Sequence, residues 1–167
     1  YEADDRHHRL ANQLSAIGPL YDVVLIDCPP STSLVTLNAM VAGDALLIPV
    51  SPGYLALEGI VQLGDVITQV RDTLDAAPPV LGLPPPMVGT GEDHQEAVIA
   101  QVRDHYGDKV FSTEIRTDEA LSEAAAHGES IFRYAPTRPG AEDHAALADE
   151  VLDRIQQYSV VSTPTST

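Results

Sequence analysis

The chain has one cysteine, no tryptophan, few aromatics (5% of residues) and a single lysine, Lys109, among its nine basic residues. A lone Cys28 excludes a disulfide framework and a zinc site built on cysteines. Nowhere do roughly eighteen apolar residues run together, so no membrane-spanning helix is encoded. The opening residues Tyr1-Glu2-Ala3-Asp4-Asp5-Arg6 are polar and acidic, unlike a secretory leader. A cytoplasmic location is expected. Positive charge is the scarcest commodity: 25 Asp and Glu against 9 Lys and Arg leave a formal charge of −16. Such a surface repels phosphate backbones unless its basic residues cluster. They are spread from Arg6 to Arg154 instead, and the lysine-poor bias fits a salt-adapted or GC-rich source.

What is present is an ordinary globular interior. With 167 residues, 44% hydrophobic and 20% charged, the chain has the length and apolar content of one soluble domain. Leu10, Leu14 and Ile17 have helical spacing, ended by Gly18-Pro19. Residues 21–27 (YDVVLID) form a short continuous β-branched run, the pattern of a strand buried on both faces. Ser31 or Ser33 can cap a helix through Val41, and residues 45–50 (ALLIPV) read as a second buried strand. A long helix is expected over about 55–74, a third strand over 80–83, a helix over 96–106 and a fourth strand over 110–113. A loop with a short helical piece near 121–124 and a final helix over about 141–158 follow. Residues 1–158 read as one domain and 159–167 as a polar, disordered tail. Strands separated by helices of these lengths imply an α/β fold, a parallel sheet with helices on both faces.

Ligands of such sheets bind beyond the carboxyl ends of the strands. Asp27 closes the run VVLI there and can hold a hydrated Mg²⁺, which is gripped through one or two carboxylates plus substrate phosphates. A strand-end Asp that merely caps the next loop is an equal alternative from these residues alone. Pro29-Pro30 stiffens the exit and fixes how Ser31 and the next helix approach. The histidines offer no paired ligand spacing, so surface or capping roles are expected of them. Cys28, beside the Asp27 carboxylate, reads as a buried inert thiol rather than a nucleophile. No G-x-S-x-G and no Ser-His-Asp order is present.

The stretch YDVVLIDCPPSTSLVTLNAMVAGDALLIPVSPGYLALEGI resembles the second half of ParA/MinD-type partitioning ATPases. The likeness continues through Phe111, Leu121-Ser122-Glu123-Ala124, His127-Gly128, Tyr134, Pro136 and Gly140-Ala141, roughly residues 20–155 in order. The resemblance implies a deviant Walker P-loop NTPase fold, here incomplete at the N-terminus, with ATP and Mg as cofactors. By position, Asp27 would be the Walker B acid holding Mg through water, and Pro29, Pro30 and Ser31 would form a nucleotide-sensing switch. Tyr54, Leu57 and Glu58 match a helix-opening motif, for which packing or capping is the better reading. Pro84, Pro85, Pro86 and Met87 lie where the family's chain passes near adenine, although Pro86 replaces a common Thr and Val88-Gly89 replace the usual polar residue.

Two departures qualify the resemblance. The phosphate loop G-x-x-x-x-G-K-[ST] does not occur, and Lys109 stands before a late strand, so nothing in this sequence cradles the β- and γ-phosphates. The chain therefore reads as a carboxyl-terminal portion that does not hydrolyse ATP by itself. In the loop Ile115 to Glu123, where DNA-binding relatives carry basic residues, only Arg116 is basic, which disfavours nonspecific DNA contact. The leading expectation is part of a Mg-ATP-dependent ATPase for plasmid or chromosome partitioning, acting as a homodimer with a ParB-like adaptor and no membrane. The alternatives are a degenerate, non-catalytic interaction module of the same fold and a MinD-like positioning ATPase. The tail SVVSTPTST lacks the basic amphipathic helix that a MinD-like protein would use at a membrane.

Overall fold

The computed structural model describes residues 6–29, 33–50, 56–74, 78–85, 87 and 93–162, with 56–59, 62, 73, 93–96 and 159–162 described by backbone alone. The elements run α1 (Arg9–Ile17), α2 (Leu34–Ala42), β1 (Leu46–Leu47), α3 (Ala56–Leu74), β2 (Val80–Gly82), α4 (Asp93–Tyr106), α5 (Glu119–Ala126), α6 (Ile131–Tyr134) and α7 (Pro139–Ser162). Two compact units divide them, Tyr1–Leu46 with Glu58–Val80, and Leu47–Leu57 with Leu81–Thr167.

β1 and β2 pair, and their ladder climbs both strands in the same direction. The Leu46 N–H donates to Pro79 O at 2.9 Å, Ile48 to Gly82 O at 3.1 Å and Val50 to Pro84 O at 3.0 Å. Leu83 then bridges Val110 in parallel. Parallel pairing with intervening helices gives the α/β class that the sequence implied. The regular strands are shorter than expected, because only three short segments share the ladder and each ends where its neighbour does.

The first unit is organised by Asn38. Its side chain accepts the Leu10 N–H at 3.2 Å and donates to Arg6 O at 2.8 Å and Leu34 O at 2.9 Å, tying the start of α1 to α2. The amide thereby satisfies one of the orphan donors at a helix start. Ala39 and Met40 of α2 and Ile60, Ile67 and Val70 of α3 are buried.

Residues 21–27 depart from expectation. They form no strand, and among the described residues no backbone partner is found for 22–29. Leu25 is 79% exposed and Tyr21 64%. A β-branched run fits a pleated, half-buried surface but does not create one; a strand also needs a ladder neighbour, and none stands beside it among the described residues.

In the second unit Leu83, Val102 and Phe111 are the largest fully buried side chains, with Ile99, Val110 and Ile115 also buried. The Arg154 guanidinium lies 3.9 Å from the Phe111 ring centroid and donates to the carbonyls of Leu81, Lys109 and Val110. A cation over a ring face is attracted by its quadrupole, and here it also satisfies carbonyls flanking the Leu83–Val110 bridge. A second cluster joins Ala120, Ala124, Ile131 and Ala141, with Leu121, Tyr134 and Ala135 packed on it. Small residues let these helices approach closely: a Cβ on Gly140 would meet Leu121 Cγ at 3.0 Å.

α5 is longer than the short piece expected. It ends in a Schellman pair, with Glu129 N–H to Ala124 O at 3.0 Å and Gly128 N–H to Ala125 O at 3.1 Å. Gly128 supplies the required φ of 67°. The expected strand at 110–113 shrinks to the bridge at Val110, because Ser112 and Thr113 turn their donors to α7 instead. α7 itself continues to Ser162, past the expected end at Tyr158.

Candidate functional site

The sequence places its chemistry on Asp27, at the end of an apolar run. The carboxylate is exposed, and among the described residues no donor or cation reaches it. Pro29 follows, also exposed, while Pro30 and Ser31 lie outside the described residues. Ser33, the N-cap of α2, makes no side-chain cap bond. Cys28 is exposed rather than buried, its Sγ–H 3.6 Å from Ile26 O. The correction has the same cause as the missing strand, since the described residues leave 21–29 largely uncovered.

The base-contact candidates fare differently. Pro86 lies outside the described residues. Met87 is half exposed. Pro84 accepts the Val50 N–H and Pro85 is buried, so both serve the ladder and the interior. Tyr54, and the side chains of Leu57 and Glu58, are outside the described residues. Asp27 and Pro29 belong to the first unit, Met87 and Arg116 to the second.

Arg116 is engaged. Its Nη2 donates to Asp143 Oδ1 at 2.7 Å, its Nε to Oδ2 at 2.8 Å, and Glu142 adds a contact at 3.3 Å. The Arg116 N–H also donates to Asp143 Oδ2, at 2.9 Å. The Asp143 hydrogen bond, foremost, pushes the guanidinium pKa further up, and the Arg116 hydrogen bond holds the Asp143 carboxyl below its ordinary value. A bidentate fork of this kind is the strong form of an ion pair. It pins the 112–118 loop to α7, and two carboxylates neutralise the cation that DNA contact would need.

Sequence reasoning missed two carboxylates that organise the second unit. Asp118 is 7% exposed. Its Oδ1 accepts the Ala120 N–H at 3.0 Å as the N-cap of α5 and Arg138 Nη2 at 2.6 Å. Its Oδ2 accepts the Gly140 N–H at 3.0 Å, at the start of α7. The Arg138 hydrogen bond first, then the Gly140 N–H, hold its pKa at about 2. The available signal was an Asp directly before Glu119 and an apolar-periodic segment, the ordinary N-cap mark.

Glu150 is the other. Partial burial pushes its pKa up, but donors from the backbone and hydroxyls of Ser112 and Thr113 more than offset that and bring it to about 2. Those four bonds measure 2.8–2.9 Å, and Arg154 Nη2 adds one at 3.1 Å. No local pattern marks Glu150, because its partners lie 37 and 38 residues away in sequence. His127, the C-cap of α5, bonds Glu123 O at 2.8 Å, a capping role as expected, whereas His144 lies inside α7 and bonds Gly140 O of the same helix at 2.7 Å.

Among the described residues no group of three or more His, Cys, Asp and Glu could hold a metal. Dedicated protein cages suit calcium; Mg²⁺ keeps its waters and needs only one or two carboxylates with substrate phosphates. An exposed, unengaged Asp27 fits that second mode. The described residues offer no glycine-rich cradle for phosphates, so on this chain alone the fit covers the metal and not the nucleotide.

This is the arrangement of a parallel α/β protein with a carboxylate on an apolar run, and comparison with known proteins gives it a family. A family model described as an AAA domain matches residues 1–77. The chain is 41% identical over 137 residues to the chromosome-partitioning ATPase Soj of Thermus thermophilus, covering 82% of this chain and 55% of that protein. It is 39% identical over 146 residues to the sporulation initiation inhibitor protein Soj of Bacillus subtilis, covering 87% and 58%. Among solved structures, cobyrinic acid a,c-diamide synthase of Mycobacterium smegmatis with bound ATP analog and magnesium superposes with a TM-score of 0.70 at 26% identity, over 88% of this chain and 54% of that one. The cell division ATPase MinD of Pyrococcus furiosus gives 0.63 at 20% identity, over 91% and 59%, a likeness of fold. The chain belongs to the ParA/MinD family, and spans little more than half the length of the relatives it matches.

No helix among the described residues is long and apolar enough to cross a membrane.

Proposed function

We propose that this chain is the carboxyl-terminal part of a ParA-type, Mg-ATP-dependent ATPase that partitions a plasmid or chromosome from the cytoplasm. The single observation that carries the reading is Asp27: a carboxylate at the end of an apolar run, exposed and without a partner among the described residues, in a chain 41% identical to a chromosome-partitioning ATPase. In the complete protein Asp27 holds magnesium through water, and Pro29, Pro30 and Ser31 lie where the bound phosphates are sensed. The cradle for those phosphates comes from polypeptide outside this chain. A homodimer with ATP between its subunits, stimulated by a ParB-like adaptor, completes the proposal. The paired state of Arg116 supports leaving DNA contact to that adaptor.

The test compares this chain with a longer polypeptide carrying a glycine-rich phosphate loop ahead of Tyr1. The longer form binds Mg-ATP in calorimetry and hydrolyses it slowly; this chain alone does neither. Asp27→Ala in the longer form lowers Mg²⁺-dependent hydrolysis about 10–100-fold, the usual cost of losing a group that holds a metal's ligands. Undiminished hydrolysis in that variant would falsify the assignment.

A further inference from the structure

Asn38 stands in the interior of α2, where asparagine is an unfavourable helix residue because its amide competes for backbone groups. Here the amide competes across the fold. α1 opens at His8, which makes no side-chain cap bond. Asn38 supplies that cap from 28 residues away, its Oδ1 accepting the Leu10 N–H at 3.2 Å. Its Nδ2 has two hydrogens to give, and both are used. One goes to Arg6 O, just ahead of α1, at 2.8 Å, and the other to Leu34 O in the first turn of α2 at 2.9 Å. An aspartate of the same shape could only accept, and a leucine could do neither. One amide thus clasps the start of α1 to the start of α2. The chain between these two helices, residues 18–33, carries Asp27 and Pro29.

We propose that Asn38 is a positioning residue for Asp27: by clasping α1 to α2 it fixes the two helices between which that carboxylate is carried. It acts through the helices, since among the described residues no donor reaches Asp27 itself. This role rests on the reading of Asp27 as the group that holds the metal, and deepens it. If the two helices shift against each other, the carboxylate meets the metal's water in a range of positions. Outer partners that hold a metal site in place contribute about 10–100-fold to its affinity or activity.

The test uses the longer polypeptide carrying the phosphate loop, with ATP held saturating and free magnesium varied. Asn38→Asp keeps the size and the acceptor for Leu10 while losing both donors; Asn38→Ala loses all three bonds. Each raises the half-saturating magnesium concentration roughly tenfold. A merely weakened fold lowers the amount of active protein and leaves that concentration where it was. In an Asp27→Ala background, Asn38→Ala shifts it no further, because Asn38 acts through that carboxylate. A second readout needs no nucleotide: in the present chain Asn38→Ala speeds amide exchange at Leu10 roughly tenfold or more. Unmoved half-saturating magnesium in both variants, a further shift in the Asp27→Ala background, unchanged exchange at Leu10, or failure of both variants to fold each overturns the role of Asn38. All four leave the Asp27 assignment standing as long as Asp27→Ala alone lowers hydrolysis. Undiminished hydrolysis in Asp27→Ala removes the metal reading and this role with it.

Discussion

Glu150 makes the sharpest test of how the second unit is held. It accepts the N–H and hydroxyl of both Ser112 and Thr113 and one Arg154 bond, and its folded pKa is about 2 against an ordinary 4.5. A carboxyl whose folded pKa is depressed adds stability that is fully present above its unfolded pKa. That stability drains away as pH falls from about 4.5 through about 2. A shift of this size corresponds to about 3 kcal/mol, at 1.36 kcal/mol per pH unit. Glu150→Gln keeps the shape, one accepting oxygen and the Arg154 bonds to Leu81, Lys109 and Val110, while removing the titration. At pH 7 the variant should melt several degrees below the parent, since each kcal/mol moves the midpoint of a domain this size by about 2–4 °C. At pH 2 the two should converge. The chain's acidic self-repulsion also weakens at low pH, but that acts on parent and variant alike and cancels in the difference. Melting is followed by circular dichroism across pH 7 to pH 2. A gap between the two proteins that stays constant over that range would refute the reasoning.

Three further outcomes follow from the same geometry. Gly82→Ala should destabilise by about 1–3 kcal/mol in urea unfolding, because its Cβ would clash with the Phe111 ring and come within 2.7 Å of Arg154 Nη1 and 2.9 Å of the Lys109 carbonyl, which is backbone and cannot swing aside. Asp118→Asn should lower the melting temperature at pH 7 and speed amide exchange at the starts of both α5 and α7, since one side chain caps Ala120 and Gly140 together; exchange altered at one helix alone would contradict the shared role. Asp27→Ala in this chain should leave unfolding within about 0.5 kcal/mol of the parent, as expected of an exposed group without partners among the described residues. A larger loss would show that Asp27 serves the fold.

Helix positions were legible because their signals are local. Leu10, Leu14 and Ile17 repeat at helical spacing and Gly18-Pro19 stops them, which is where α1 ends. β1 and β2 were legible as apolar runs, since ALLIPV and VLGL pair directly. The same logic misled at residues 21–27. Composition measures how well a segment suits burial between neighbours, while the strand itself needs those neighbours, and none of the described residues supplies them. At residues 110–113 a competing acceptor intervened: Glu150 takes the donors of Ser112 and Thr113 that a longer ladder would have used. Such long-range competition leaves no mark within a sequence window.

The two units therefore differ in how their open backbone groups are satisfied, and the difference bears on function. In the second unit, charged side chains finish what the short ladder leaves undone: Glu150 takes the donors beyond Phe111, Arg154 covers three carbonyls beside the bridge, and Asp118 caps two helices. Each is held by several bonds, so the positions of these loops are determined by the chain itself. In the first unit no charged side chain among the described residues does this for the backbone that carries Asp27, where only the Cys28 thiol reaches Ile26 O. A metal-holding carboxylate must be fixed by its supporting shell, because loss of that shell typically costs 10–100-fold in affinity. On the proposed reading of Asp27, its supporting shell therefore lies outside the described residues. Magnesium held at Asp27 by this chain alone as tightly as by the longer polypeptide would refute that step.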